Sequence, residues 1–301
     1  MPGRASLPSS KLQRLAFLVS RRPSYLLGRF ATVRDVYSRL NGLKHAVGGG
    51  GAPLRIGDLY HPADAAVDIA SSGHVLSSKT AAQQIAEMRA ESYSMGPRLD
   101  AAALAELQRC ARTLPLHFNE ADVGTYEALS LSPERRGNLA IATVRNSASL
   151  PMIRALAGDS ILCEAAALFL GYRPTEVSSW FFWSLANHLS DDERRAASQT
   201  IDYHYDVDGF NFLYVNFYLL DTDAMNGAHA LIAGSSRRKR LRHLLGSARL
   251  GDAEARETYG PAAERVIEGP AGSGFLEDTS CYHKALAPVS ADRLMLQLRY
   301  Q

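Results

Sequence analysis

YHYDVDGF, residues 203–210, places one histidine and two aspartates within five positions of an otherwise aromatic and apolar run. Successive side chains of a β-strand point to opposite faces, so residues i and i+2 point the same way. His204 and Asp206 are therefore expected to project together from one strand, while Gly209 indicates that the strand ends before Asp208. An imidazole and a carboxylate side by side are suitable ligands for a metal ion.

A third metal ligand is expected from a distant part of the chain, and His283 is the candidate. It ends the run GSGFLEDTSCYH, which predicts a glycine turn and a short strand before the ligand. Two histidines and one carboxylate on one side of a metal form the facial triad typical of non-haem Fe(II) oxygenases. A ligand pair on one strand and a single distant ligand on another fit a closed barrel. A rival triad that uses Glu277 and Asp278 beside His283 is the weaker alternative.

A basic residue opens the last predicted strand, RLMLQLRY, residues 293–300. In this strand Arg293 and the alternate residues after it share one face, opposite the leucines. A guanidinium inside a small barrel is costly unless an anion meets it, and its shape suits a carboxylate held by two hydrogen bonds. The pattern therefore predicts an organic diacid beside the metal, held by Arg293. Arg299 shares the face and is the second choice for this role.

The C-terminal half of the chain resembles a known family. The run HYDVDGFNFLYVNFYLLDTDAMNGAHALIAGSSRR, residues 204–238, and the run GFLEDTSCYHKALAPVSADRLMLQLRY, residues 274–300, resemble the phytanoyl-CoA dioxygenase-like family of Fe(II)- and 2-oxoglutarate-dependent oxygenases. The resemblance is strong over residues 175–301 and extends more loosely back to about residue 75. It implies a double-stranded β-helix, which is a cupin-like jelly-roll barrel.

The resemblance also implies roles for single residues. It places the Fe(II) ligands at His204, Asp206 and His283, and the arginine that binds the cosubstrate 2-oxoglutarate at Arg293. Related halogenases lack the carboxylate that Asp206 supplies here. The resemblance therefore implies hydroxylation or another oxidation of a C–H bond, with consumption of O2 and with succinate and CO2 as co-products.

Two further family elements fall between the ligands. The NG-containing turn of the family corresponds to Asn226 and Gly227. Its GSH-like element is present as residues 234–236, which read Gly-Ser-Ser, so the usual histidine is missing. This departure leaves the metal ligands unaffected and is expected to alter a loop near the entrance of the site.

Other residues are candidates for the walls of the site. Asn216, Tyr218 and Gln297 are polar residues in apolar strands, where they need partners, and contact with the cosubstrate is one option for each. Trp183 is the better of the two tryptophans as a substrate-pocket residue, with core packing as the alternative. His229 lies in a predicted strand near the triad, and a structural role is its alternative.

The chain predicts two parts joined by a glycine hinge. Residues 48–51 are four consecutive glycines, which favour a flexible connection. We expect residues 1–57 to form a basic helical N-terminal arm and residues 58–301 to form a single catalytic domain. Within that domain, 58–174 is expected to be helical and 175–301 to be the jelly-roll core. The fold class is α+β with a mainly β core and helices packed outside.

Local patterns predict individual elements. Helices are expected over 11–41 with a break at Pro23, and over 151–170 with a bend near Asp159. Two helices are expected over 80–113, with an interruption at residues 95–97 and with Asp100 as the cap of the second. Short strands punctuated by Gly, Asn and Asp are expected over residues 178–185, 201–207, 211–220, 229–233, 264–268, 274–278 and 293–300.

Charge and cysteine content constrain the partners and the compartment. Residues 1–57 carry ten Lys or Arg and one acid, whereas the rest of the chain is net acidic. The basic arm is expected to dock on an acidic surface, and no specific nucleic-acid partner is expected. Three widely spaced cysteines favour a reducing cytoplasm over a disulfide framework. No stretch approaches the roughly 18 consecutive apolar residues of a membrane span.

The patterns together predict an Fe(II)- and 2-oxoglutarate-dependent dioxygenase that acts on a small or carrier-bound organic substrate. The alternative is a catalytically silent jelly roll that binds a ligand or a partner. A third option is a barrel hydrolase or isomerase that uses zinc. The sequence does not select the substrate.

Overall fold

A computed structural model describes residues 23–47, 52–59, 61–118, 120–197 and 199–301. The α-helices are α1 Pro23–Leu27, α2 Ala31–Val47, α3 Ala81–Glu91, α4 Ala101–Thr113, α5 Tyr126–Ser130, α6 Pro133–Gly137, α7 Pro151–Ala157, α8 Ser160–Leu170, α9 Asp191–Ala196, α10 Leu241–Leu245 and α11 Asp252–Tyr259. Among these described helices, none has both the length and the apolar character needed to cross a bilayer.

The strands are β1 Leu54–Asp58, β2 Ala65–Val67, β3 Val75–Ser77, β4 Tyr93–Leu99, β5 Leu116–Phe118, β6 Ala121–Gly124, β7 Ile141–Val144, β8 Glu176–Ser184, β9 Tyr203–His204, β10 Leu213–Tyr218, β11 His229–Ile232, β12 Arg249–Leu250, β13 Glu264–Ile267, β14 Ser273–Glu277, β15 His283–Ala285 and β16 Arg293–Tyr300. The strands predicted after residue 175 are all present, with ends that differ by a few residues.

Two sheets form the barrel. The larger sheet contains the strand order β14-β10-β16-β8, and the smaller sheet contains β9-β15-β11-β13. From β8 to β11 and again from β13 to β16, the chain alternates between the sheets at each step, which is the topology of a jelly roll. The predicted double-stranded β-helix is therefore confirmed.

The larger sheet is buried on both faces. Its outer face packs against the helices, where the leucines of β16 join Leu107 of α4 and Ile153 of α7 in the main hydrophobic core. Its inner face turns Phe182, Phe275 and Met295 toward the smaller sheet. Because every residue of β10 lies between these two layers, the strand reads as a continuous apolar and aromatic run with a single amide.

Residues 58–174 do not form the helical region that the sequence predicts. It is mixed, because β2 to β7 alternate with its helices and extend the larger sheet beyond both ends of the barrel. β4 includes residues 95–97, which the sequence predicts as a simple helix break, and it pairs with β14. These strands have three to seven residues and little apolar alternation, so pairing to an existing sheet edge determines their conformation rather than local pattern.

The predicted helix boundaries have identifiable causes. The Asp100 carboxylate accepts a hydrogen bond of 2.7 Å from the backbone N–H of Ala103 and begins α4. Asp159 separates α7 from α8 at the predicted bend and caps α8 through the N–H of Ile161. Gly171 ends α8 with a φ of 79°, a left-handed conformation that glycine adopts without strain.

The described part of the N-terminal arm contacts the barrel. The Arg29 guanidinium donates hydrogen bonds to the carbonyls of Leu244 and Gly246, at 3.1 Å and 2.7 Å. The Tyr37 ring stacks on Phe210 with 4.8 Å between centroids. β1 begins within the predicted arm and pairs in parallel with β8. The predictions for residues 11–22 and 48–51 lie outside the described residues.

Candidate active site

The structure brings His204, Asp206 and His283 together between the two sheets. β9 and β15 are neighbours in the smaller sheet, and the Cα atoms of His204 and His283 are paired across them. The Asp206 carboxylate lies 3.8 Å from His204 Nε2 and 3.6 Å from His283 Nε2. The three ligand atoms all lie within 4.8 Å of one another. The pairing of β9 with β15 thus brings His204 and His283 together, although they are far apart in the sequence.

The hydrogen bonds of the two imidazoles define which nitrogen faces the site. His204 Nδ1 lies 3.0 Å from the carbonyl of Asp202, and His283 Nδ1 lies 3.1 Å from the carbonyl of Cys281. A carbonyl only accepts, so each Nδ1 carries the proton and donates it. Burial lowers the pKa of His283 to about 3, which keeps this ring neutral. The Nε2 atom of His283 therefore presents a lone pair toward Asp206, and the same holds for the neutral form of His204.

A backbone hydrogen bond holds the position of Asp206, and burial changes the pKa of its carboxyl group. Its N–H donates a 2.8 Å hydrogen bond to the carbonyl of Thr279, next to the turn that leads to His283. Burial raises the pKa of the Asp206 carboxyl, and the nearby His204 opposes this shift. Two neutral imidazole nitrogens and one carboxylate oxygen on one side of an open cavity are a donor set that fits Fe(II).

Arg293 is a buried cation without an anionic partner. It is 3% exposed, and its guanidinium donates to the carbonyl of Gly227 and, over 2.9 Å, to Ser184 Oγ. Its Nε has no partner, and no carboxylate among the described residues pairs with it. Burial lowers the pKa of Arg293, yet a guanidinium remains charged in proteins. The Arg293 guanidinium is therefore free to pair with an anion that enters the cavity.

Arg299, the second choice for this role, is already paired. Its Nη1 lies 2.9 Å from the Asp208 carboxylate, and its Nη2 donates to Ser178 Oγ over 3.2 Å. It does not line the cavity that contains the triad. The expectation that Arg299 could replace Arg293 is therefore corrected, because Asp208 neutralises it.

The triad and Arg293 line one cavity of about 460 Å³. Trp180 and Phe182 of β8 form its aromatic wall, with their rings stacked at 3.9 Å between centroids. Trp183, the predicted pocket residue, faces the opposite side of β8, where it stacks on Tyr126 at 3.7 Å and donates to a backbone carbonyl. Because side chains alternate along the strand, Trp180, Phe182 and Ser184 face the cavity and Trp183 belongs to the core.

The three polar candidates have different positions. Gln297 lines the cavity and donates a 2.8 Å hydrogen bond to the side-chain oxygen of Asn216. Asn216 is fully buried behind it. Tyr218 does not line the cavity, because its hydroxyl donates to the carbonyl of Ile267 and accepts from the N–H of His229. Of the three, only Gln297 is placed to contact a bound cosubstrate.

A buried histidine–glutamate pair lies next to the triad, and sequence reasoning did not find it. His229 Nε2 lies 2.9 Å from Glu277 Oε1, and neither side chain is more than 7% exposed. Burial raises the pKa of Glu277 to about 7 and lowers that of His229 to about 3. The sequence shows a charged residue in the apolar run GFLE and a histidine in another apolar run, but no local pattern indicates that the two side chains meet. The outer wall residues Asp58 and His117 were missed because β1 and β5 were not predicted.

Comparisons with solved structures find proteins of similar fold. The sequence matches no protein-family model and no curated protein sequence. The structure is similar to the epimerase SnoN in complex with Fe3+, alpha-ketoglutarate and nogalamycin RO, with a TM-score of 0.51, 17% identity, and coverage of 73% of this chain and 83% of that chain. A second SnoN structure is described as a non-haem alpha-ketoglutarate-dependent epimerase from nogalamycin biosynthesis. Its TM-score is 0.50 and its sequence identity 16%, with coverage of 73% of this chain and 82% of that chain. EctD from S. alaskensis with 2-oxoglutarate and 5-hydroxyectoine has a TM-score of 0.49 and 18% sequence identity, with coverage of 81% of this chain and 87% of that chain.

Proposed function

We propose that this protein is an Fe(II)- and 2-oxoglutarate-dependent oxygenase of the phytanoyl-CoA dioxygenase-like kind. It oxidises a C–H bond of a small or carrier-bound organic substrate and releases succinate and CO2. The observation that carries the proposal is one cavity that contains both a two-histidine, one-carboxylate cluster and a buried guanidinium without a counter-ion. The jelly-roll fold shared with SnoN supports it.

Each residue of the site has a distinct role in this proposal. His204, Asp206 and His283 hold the iron through two Nε2 atoms and a carboxylate. Iron, when bound, supplies the activation of O2. Arg293 would pair its guanidinium with the far carboxylate of 2-oxoglutarate, which would fix the orientation of the diacid. The aromatic wall at Trp180 limits the access of water and orients the substrate against the metal side of the cavity.

The test is release of succinate from 2-oxoglutarate by purified protein supplied with Fe(II), ascorbate and O2. Uncoupled turnover is expected even without the true substrate. Asp206→Ala is expected to reduce turnover by at least about 100-fold, since loss of a ligand removes the metal. Asp208→Asn is the matched control, since Asp208 lies two residues away and outside the cavity, and it should retain turnover.

Equal turnover of Asp206→Ala and the parent protein would contradict the triad assignment. Absence of both 2-oxoglutarate binding and turnover in iron-loaded protein would favour the silent ligand-binding barrel instead. Metal analysis after anaerobic purification separates an iron enzyme from a zinc hydrolase or isomerase.

We also propose that the basic arm docks on the barrel of its own chain, as part of one catalytic unit with residues 58–301. Two ion pairs support this intramolecular docking. Arg34 lies 3.6 Å from Asp278, and Arg237 of the barrel lies 2.8 Å from Asp35 of the arm. The free, buried state of the three cysteines supports a reducing, cytoplasmic location.

A further inference from the structure

The buried Glu277–His229 pair has no place in the proposed reaction, although it lies against the metal cluster. Glu277 is completely inaccessible, and a buried carboxyl group is costly unless its oxygens are hydrogen-bonded. Oε1 contacts His229 Nε2 at 2.9 Å, and Oε2 accepts a hydrogen bond of 3.4 Å from the Asn216 amide. The Cys281 thiol lies 3.7 Å from Oε1. Glu277 therefore contacts strand β10, strand β11 and the turn before β15.

His229 in turn lies flat against a proposed metal ligand. Its ring is stacked on the His283 ring, with 5.3 Å between centroids and an interplanar angle of 17°. The His204 ring, on the neighbouring strand β9, also contacts the His283 ring, with 4.3 Å between centroids and an interplanar angle of 52°. The His283 ring thus has one hydrogen bond, from Nδ1 to the Cys281 carbonyl, and is otherwise oriented by ring contacts.

The pair reaches His283 by two routes. Through His229, Glu277 fixes the plane of the ring that packs on His283. Through the thiol of Cys281, it contacts the residue whose carbonyl accepts the His283 Nδ1–H. Both routes hold the orientation of His283, and groups that orient a metal-binding histidine are worth about 10- to 100-fold in metal affinity.

We propose that the Glu277–His229 pair is a positioning element that aims His283 Nε2 into the metal cluster. The inference rests on the proposed function, because it requires His283 to bind the metal. The role is geometric: the pair supplies shape and hydrogen bonds rather than charge. A glutamine at position 277 can keep the contacts to His229 and Asn216, because its amide donates to His229 Nε2 and its oxygen accepts from Asn216, although the weak hydrogen bond from the Cys281 thiol is lost.

The chain contains a matched control pair away from the site. His243 is also buried, and its Nε2 lies 3.0 Å from Glu254 Oε1. Its ring packs near Tyr282 and contacts neither histidine of the cluster. His243→Leu therefore removes a buried histidine from a glutamate pair without touching the proposed metal ligands.

The test is anaerobic titration of the full chain with Co(II), followed by its absorption spectrum and dissociation constant. His229→Leu and Glu277→Leu are expected to weaken Co(II) binding by about 10-fold and to change the Co(II) spectrum. Glu277→Gln is expected to stay within about 3-fold of the parent protein, as is His243→Leu. Thermal unfolding of each variant reports general destabilisation separately from metal affinity.

The possible failures are distinguishable. If the parent protein and Asp206→Ala bind Co(II) equally, the proposed function fails. If Asp206→Ala loses Co(II) while His229→Leu and Glu277→Leu retain parental affinity and spectrum, only the positioning role is overturned. A loss in Glu277→Gln as large as that in Glu277→Leu overturns the geometric role, because the amide keeps the contacts to His229 and Asn216. If His229→Leu does not fold, the two Glu277 variants decide alone.

Discussion

At the scale of single residues, a partner decides what a buried charge does. Arg293 and Arg299 share one face of one strand, and the sequence pattern treats them alike. The structure separates them, because Asp208 lies 2.9 Å from Arg299 and no described carboxylate meets Arg293. The sequence could predict that a cation faces the barrel interior. It could not predict which cation is neutralised, since that depends on where the loop after β9 turns.

This difference predicts that the same substitution weakens 2-oxoglutarate binding strongly at position 293 and only slightly at position 299. Arg293→Met is expected to raise the Kd for 2-oxoglutarate by at least about 30-fold, since removal of a buried charge partner costs roughly 2–5 kcal/mol. Arg299→Met should change the Kd by less than about 3-fold. Isothermal titration of both variants, loaded with Co(II), measures the two constants. Similar losses in both variants would mean that the diacid does not bind at Arg293.

Lys239 provides a second prediction at this scale, in the stability of the protein against pH. Its Nζ donates to the carbonyls of Ser235 and Ser280 and lies 4.5 Å from the Tyr205 ring centre. Burial lowers its pKa from 10.5 to about 7. Between these values the unfolded chain keeps a proton that the folded protein has released, so this contribution to stability rises with pH, by at most about 1.4 kcal/mol per unit.

Lys239→Met removes this titration. Urea unfolding at pH 7 and pH 9 is therefore expected to show that the parent protein gains stability relative to the variant as the pH rises. An identical pH dependence of the two proteins would show that Lys239 has an ordinary pKa.

At the scale of elements, strand prediction succeeds where two buried layers impose a pattern. β8, β10 and β16 are long and lie between the helices and the barrel interior, so their aromatic and leucine-rich runs are readable. Apart from the seven-residue β4, the strands before residue 150 have five residues or fewer, and they lie mostly outside the barrel. Their conformation comes from pairing with β8 and β14, which no local pattern shows.

Helix capping also belongs to this scale. Asp159 is buried, caps α8 through the N–H of Ile161, and accepts two more hydrogen bonds from Ser72. Asp159→Ala is expected to destabilise the protein by about 2 kcal/mol, because a cap and buried donors lose their partner together. Ser190→Ala at the exposed start of α9 should cost about 1 kcal/mol or less. Urea midpoints with unchanged slopes test this order, and equal costs would contradict it.

At the scale of the whole molecule, barrel topology makes the site. β9 and β15 are neighbours only because the chain alternates between sheets, and this pairing joins His204 to His283. The residue types were enough to select His204, Asp206, His283 and Arg293 as candidates, although β9 ends at His204 and Asp206 lies beyond the strand in which it was predicted. The Glu277–His229 pair was not predictable, because it requires knowledge of which strands of opposite sheets face each other. The error at Trp183 has a different cause, because the periodicity of β8 separates its two faces but does not show which face points into the barrel.

The central claim is that one cavity holds a metal at the triad and a diacid between that metal and Arg293. Anaerobic titration of the protein with Fe(II) and then 2-oxoglutarate tests it most directly. We expect a visible charge-transfer band that saturates at about one equivalent of each component and is absent in Asp206→Ala and in Arg293→Met at the same concentrations. Failure of the parent protein to develop the band, or a band of equal intensity in Asp206→Ala, would contradict the account.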